Sequence, residues 1–186
     1  STTQPGQSTA AAFRIASYDV TTGITLSPWV ITCANATRIM AADINGDNHD
    51  DVVGYAPSND LLCIHFTNTT SGGFEPQVNV THSSSIIDLA FGDFRGNGQD
   101  EMVSIRANGK VSVDLFSNRT NTFSNLDDTT IYLSGTVNSA TLTHMLFAHF
   151  DGQNSQPSLI ACQANGDADI LFWSSTGSGS IATGSS

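Results

Sequence analysis

From Phe13 to Trp173 the chain alternates short apolar runs with polar turn segments. The runs Arg38 to Ala42, Asp51 to Tyr55 and Leu61 to Phe66 are rich in β-branched, aromatic and other apolar residues and are bounded by Gly, Asn and Asp. That is the signature of strands. A fourth strand is expected from Phe74 to Val80. The first two runs are apolar almost throughout, which suits strands packed on both faces. No segment of ten or more residues repeats its apolar positions at roughly 3.6, so helix should be scarce.

The pattern repeats. MAADINGDNHDDVVGY from Met40, AFGDFRGNGQDEMVSI from Ala90 and FAHFDGQNSQPSLIAC from Phe147 superimpose with their glycines at 46, 96 and 152 in line. Asp43 and Asp93 are 50 residues apart, and Asp93 and His149 are 56 apart. LLCIHF, VSVDLF and DILFW follow at the same two spacings, each leading into a polar turn. Four antiparallel strands in a repeat of roughly 50 residues describe a propeller blade, so the fold class is all-β with propeller-type blades. FRIASYDVTTGITLSPWV from Phe13 resembles LLCIHFTNTTSGGFEPQV from Leu61 and reads as the outer half of a blade, because nothing before it supplies inner strands.

The expected organisation is a flexible segment over 1–12, an outer half-blade over 13–34, blades over 35–84, 85–140 and 141–176, and a Ser/Gly-rich tail or final strand over 177–186. About three and a half blades cannot close a ring, since propellers run from roughly 4 to 8 blades. A continuing chain or another subunit is expected to complete it, which makes a homo-oligomer one of the partners to look for.

Charge narrows the function. A formal charge of -11, with 6 basic against 17 acidic residues, repels phosphate backbones and anionic lipid, so no nucleic acid partner is expected. Nowhere are there 18 consecutive apolar residues, so no membrane insertion is expected. Solubility comes from Ser, Thr, Asn and Gly, as in extracellular β proteins. Asn35, Asn68, Asn79 and Asn118 each open an N-x-Ser/Thr sequon without proline, which points to a glycosylated, secreted or cell-surface protein. No leader segment opens the chain at Ser1, so a secreted form would be mature or excised. Cys33, Cys63 and Cys162 allow at most one bridge and leave a thiol either buried or paired with another chain.

The segment from Asp43 to Asp51 carries the candidate chemistry. Asp43, Asn45, Asp47 and Asp51 place oxygen side chains at positions 1, 3, 5 and 9 of a tight loop, and the carbonyl of His49 adds a backbone oxygen. Ca²⁺ takes six to eight such ligands, with water completing the shell. Three carboxylates converging without a cation would repel one another. The loop lacks a bidentate glutamate at its twelfth position, Gly54, so it is not an EF-hand. An ordinary metal-free turn is the competing reading. The second loop carries Asp93, Arg95, Asn97 and Glu101; here the Arg95 guanidinium stands in a ligand position and can replace the ion by pairing with Asp93 or Glu101. The third, with His149, Asp151, Gln153, Ser155 and Pro157, has one carboxylate and is expected to be metal-free.

The motif D-x-N-G-D-x-x-x-D between short strands, repeated with decay over about Phe13 to Trp173, resembles the FG-GAP or VCBS repeats of integrin alpha-subunit propellers and of fungal and bacterial propeller lectins. The resemblance implies calcium held by Asp43, Asn45, Asp47 and Asp51, and a role in adhesion or recognition of a glycan or protein ligand.

No catalytic function is expected. The chain has no G-x-S-x-G, H-E-x-x-H or P-loop motif. Asp50 with Asp51 and Asp100 with Glu101 are adjacent, so in a strand each pair points to opposite faces instead of flanking a bond. His65 and His144 are expected to pack within strands. A binder would use loops and aromatics such as Tyr18, Trp29, Tyr55 or Trp173. The alternative is a self-assembling structural protein whose blades complete one another, and an accessory domain of a secreted enzyme comes third.

Overall fold

The computed structural model describes residues 10–27, 29–82, 86–107, 111–118, 121–127, 142–148, 158–173 and 181–184. The chain opens with β1 (Ala10–Phe13), β2 (Ala16–Asp19), β3 (Gly23–Leu26) and β4 (Val30–Ala34). β1 pairs with β4, and β2 with β3 as a hairpin projecting between them. Its turn forms because Asp19 Oδ1 accepts the N–H groups of Thr21 (2.7 Å) and Thr22 (2.9 Å). Those bonds hold the exposed Asp19 carboxyl below its ordinary value.

The first complete sheet holds β5 (Arg38–Ala42), β6 (Asp51–Ala56), β7 (Leu61–His65) and, beyond a small hairpin of β8 (Thr67–Asn68) and β9 (Gly73–Phe74), β10 (Val78–Thr81). All its pairings are antiparallel, in the order β10-β7-β6-β5. β7, β8, β9 and β10 pair as β1, β2, β3 and β4 do, and β1 begins at Ala10, inside the segment over 1–12 expected to be flexible, because β4 offers its edge to those residues. The fourth strand differs from the expected Phe74 to Val80. Pro76 has no N–H to donate to a ladder, so the chain breaks over Glu75–Gln77 and pairs with β7 only from Val78.

The second sheet runs β11 (Ile86–Gly92), β12 (Glu101–Arg106), β13 (Val111–Ser117) and β14 (Thr122–Asp127), each paired with the next. The third repeats this with β15 (Leu142–Ala148), β16 (Ser158–Gln163), β17 (Ala168–Trp173) and β18 (Ile181–Gly184). β18 is the final strand that the Ser/Gly-rich end could supply. The helical content of the described residues is one 3₁₀ turn, Pro57–Asn59.

The sheets stack face to face. Ile44, Val53, Tyr55, Leu62, Ile64, Leu89, Met102 and Phe116 form the core between the first and second. Phe94, Val103, Ile105, Val113, Met145 and Leu159 form the core between the second and third. Neighbours on β12 therefore serve opposite cores, Met102 facing one way and Val103 the other, which explains why such strands are apolar throughout. β5 departs from that expectation, because its Ile39 and Ala41 are exposed while Ala42 is buried.

Two contacts fix the stacking. A Cβ on Gly92 would come within 2.7 Å of the Phe147 ring, so only glycine lets Phe147 lie across the end of β11. Asp88, buried on β11, forms an ion pair with Arg38 of β5 and accepts the Met145 N–H of β15 at 2.7 Å. One carboxylate thus ties the first strands of all three sheets. The disulfide Cys33–Cys63 fastens β4 to β7, and Cys162, half-buried on β16, keeps a free thiol.

Candidate functional site

The loop between β5 and β6 is built on Asp43. Its Oδ1 accepts the N–H groups of Gly46 (2.8 Å) and Asp47 (3.0 Å), and its Oδ2 accepts that of Asn48 (2.7 Å). Asn45 faces Asp47, with Nδ2 donating to Asp47 Oδ2 at 3.0 Å and Oδ1 accepting the Asp47 N–H at 2.9 Å. His49 follows, its N–H on Asp47 Oδ1 at 2.9 Å. Ile44 plugs the loop into the core.

The second loop, between β11 and β12, copies this plan. Asp93 accepts the N–H groups of Asn97 (2.7 Å) and Gly98 (2.8 Å). Positive φ recurs at matching places, 74° at Gly46 and 70° at Gly96, then 65° at Asn48 and 83° at Gly98. Phe94 is buried where Ile44 is.

The loops differ at the carboxylate that opens the following strand. Asp51 and Glu101 are equivalent, 50 residues apart, and both are fully buried. Glu101 has a cation: Arg95 Nε donates to its Oε1 at 2.8 Å and the Arg95 N–H to its Oε2 at 3.2 Å. Of the two partners considered for Arg95, the structure selects Glu101. Burial pushes the Glu101 carboxyl up, and Arg95 pulls it back.

Asp51 lacks such a partner. Its Oδ1 accepts the Thr67 N–H at 2.8 Å, whereas its Oδ2 is buried without a hydrogen bond. Burial pushes this carboxyl up to about 6, and Asp47 and Asp43 add to the shift. The Thr67 N–H opposes it, as does the nearby Ile44 N–H, which is bonded to the Ala42 carbonyl. Among the described residues, no three His, Cys, Asp or Glu side chains stand together as a ready-made metal cage. The Asp43 oxygens are turned onto the N–H groups of their own loop.

Two residues outside the expected set hold the first loop in place. Asp100 bonds both backbone groups of Asp43, and Gln99 Nε2 donates to the carbonyls of Ile44 (2.6 Å) and Phe116 (3.1 Å). Burial raises the Asp100 carboxyl, helped by Asp43, Asp50 and Asp93. Gln99 also lies 3.2 Å from where a Gly46 Cβ would be. Sequence gave no sign of this clamp, because it arises only when two blades stack.

The third loop, with His149, Asp151, Gln153, Ser155 and Pro157, lies outside the described residues, as do the side chains of Tyr18 and Trp173. Trp29 is 63 % exposed, with the Arg14 guanidinium 4.7 Å from its ring centre. Tyr55, proposed from sequence as a contact residue, is instead 2 % exposed and packs between the first two sheets, its O–H directed to the Ile86 carbonyl at 3.4 Å. Its place on an all-buried strand accounts for the difference. His65 packs, as expected, in a cluster with Phe13 and Phe74, while His144 is exposed on β15. Asn35, Asn79 and Asn118 are exposed, and Asn68 is half-buried.

Among the described residues no helix is long and apolar enough to cross a membrane. The Cys33–Cys63 bridge fits an oxidising compartment. No curated protein matches the chain. Residues 43–104 match the family model of the FG-GAP-like repeat. That stretch starts at the first loop, runs through the rest of the first sheet and ends within β12 of the second. This unit of loop and stacked sheet is thus an FG-GAP-like repeat.

Proposed function

We propose that the chain is an extracellular, non-catalytic, calcium-binding propeller module for adhesion or recognition, with a glycan or a protein as its ligand. The contrast between Glu101 and Asp51 carries this reading. Two loops of one design each bury a carboxylate; one is neutralised by Arg95, and the other faces only Asp47 and Asp43 with an oxygen unpartnered. Leaving a buried carboxylate unpaired is costly, so a cation belongs there.

Every ligand proposed in the first loop is oxygen, which suits Ca²⁺ over softer metals. Asp43, Asn45, Asp47 and Asp51 would hold it, with the His49 carbonyl, and Asp43 would exchange loop N–H bonds for the ion. Bound calcium would supply charge neutralisation and a cross-link across the loop, a structural role. Affinity is expected on the order of 10⁻⁴ to 10⁻³ M. Calorimetric titration together with thermal unfolding in EDTA and in excess Ca²⁺ tests the site; identical unfolding in both would remove it.

Recognition is favoured by the β2–β3 hairpin, which exposes Val20 (88 %) and Ile24, with Trp29 exposed in the link to β4. Exposed apolar groups concentrated on one projection mark contact surfaces. A glycan array and a cell-surface protein screen test this, and silence in both would count against it.

A second reading is a self-assembling structural protein, whose subunits complete the ring or form a fibre. Its support is the row Leu146, Ile160 and Ile170, register neighbours on the last described sheet that all keep solvent exposure. Sedimentation at several protein concentrations separates it from a monomeric recognition module. An accessory domain of a secreted enzyme ranks third.

A further inference from the structure

A cleft of about 940 Å³ opens between the β2–β3 hairpin and the β8–β9 hairpin. Its size falls within the roughly 300–1,000 Å³ of ligand sites. Ile15, Leu26 and Phe74 form apolar wall, Glu75 and Gln77 contribute polar edge, and the sequon asparagine Asn68 stands in the lining itself. Ile15 and Leu26 are 46 % and 45 % exposed, so this wall faces water unless something covers it. No Lys or Arg lines the cleft; its basic groups are the imidazoles of His49 and His65, and Glu75 stands at its edge.

The Asn68 amide is held in position. Its Oδ1 accepts the N–H groups of Thr70 (3.0 Å) and Ser71 (2.8 Å), and one hydrogen of Nδ2 goes to Glu75. The other hydrogen of Nδ2 is available for substitution. Asn35, in the turn after β4, and Asn79, on β10, are exposed outside the cleft lining.

We propose that the N-linked glycan of Asn68 fills this cleft, its neutral N-acetylglucosamine core lying against Phe74, Leu26 and Ile15. The inference rests on the extracellular reading, since it requires the glycosylation machinery. In the transfer, Asn68 Nδ2 forms a bond to C1 of a lipid diphosphate-linked oligosaccharide. The C1–O bond to the diphosphate breaks, the lipid diphosphate leaves with the electron pair, and Nδ2 loses one proton. The sugar then presents C–H faces to the apolar wall and hydroxyls to Glu75 and Gln77. The occupant of the cleft is thus carried by the chain itself.

The test is secretion from a glycosylating eukaryotic host, site-resolved mass spectrometry, and timed release by peptide-N-glycosidase before and after denaturation. Release at Asn68 from the native protein should be slower than at Asn79 by about tenfold or more, as for a site reached only by local opening, and equal to it after denaturation. Leu26→Asp, an exposed wall residue, should bring Asn68 release close to the Asn79 rate. Thr70→Ala, which abolishes the sequon and leaves Asn68 in place, should raise binding of an apolar dye.

Glycan at Asn35, Asn79 or Asn118 with none at Asn68 overturns the inference and leaves the extracellular reading standing. No glycan at any of the four removes both. Equal native release at Asn68 and Asn79 also overturns it, as does a free oligosaccharide that binds the glycosylated protein and Thr70→Ala equally well.

Discussion

Asp100 and Asp43 hold each other through paired bonds. The Asp100 N–H donates to the Asp43 carbonyl at 2.8 Å, and the Asp100 carboxylate accepts the Asp43 N–H at 2.9 Å. The first residue of one loop is thereby fixed by the last residue of the next, across the interface of two sheets. Asp100→Ala leaves the part-buried Asp43 N–H without its acceptor, at a cost of about 1–3 kcal/mol. Asp100→Asn retains an acceptor oxygen and should lose less. Urea unfolding of both variants checks the order; equal midpoints for both and the parent would show that the clamp contributes nothing.

Arg95 occupies in the second loop the position that Asn45 holds in the first. Arg95→Asn restores the oxygen pattern and removes the cation from Glu101. In EDTA this variant should be less stable by about 3–5 kcal/mol, the usual consequence of stripping the partner from a buried charge. In Ca²⁺ it should recover much of the loss and bind one more ion per chain than the parent, read by calorimetric titration. Unchanged stoichiometry would mean that the second loop has lost more than a ligand.

The pairing of Arg95 with Glu101 was legible because the period of 50 places Arg95 opposite a ligand position, and only two acids were close along the loop. β5 was legible to the residue, since its apolar run ends abruptly at Asp43. The β8–β9 hairpin was not, because Thr67, Asn68, Gly73 and Phe74 carry no alternating signal and pair over only two positions each. Three cysteines left three possible bridges; Cys33 meets Cys63 only because β4 packs beside β7. The Asp88 tie to Arg38 and Met145 was hidden for the same reason, as stacking brings together residues 50 and 57 apart.

Tyr55 offers a spectroscopic view of the first interface. Burial, with a contribution from nearby Asp60, pushes its phenol up to about 12 from the ordinary 10.0. A folded pKa above the unfolded value means that the native state holds the proton more tightly, so stability falls as pH rises from about 10 towards 12. In ultraviolet titration one of the 3 tyrosines should ionise late. Tyr55→Phe should remove that late step and lessen the alkaline loss of stability. A late step that survives Tyr55→Phe assigns it to another tyrosine.

Asp51 separates the metal site from a bare turn by the sign of a single substitution. Without calcium, its buried carboxylate has Thr67 as a hydrogen-bond partner on one oxygen and only the Asp43 and Asp47 carboxylates for charged company. Asp51→Asn keeps the oxygen that accepts from Thr67 and deletes the charge. In EDTA it should therefore equal or exceed the parent in stability, as neutral replacements of uncompensated buried charges do. With calcium at 100 times its dissociation constant the parent should gain about 2.7 kcal/mol, and Asp51→Asn should gain far less, so the order of the two proteins reverses on adding the ion. Parallel unfolding curves that both shift equally with Ca²⁺ would place the ion elsewhere, and a loss of stability already present in EDTA would mean that Asp51 serves the fold through its charge without a metal.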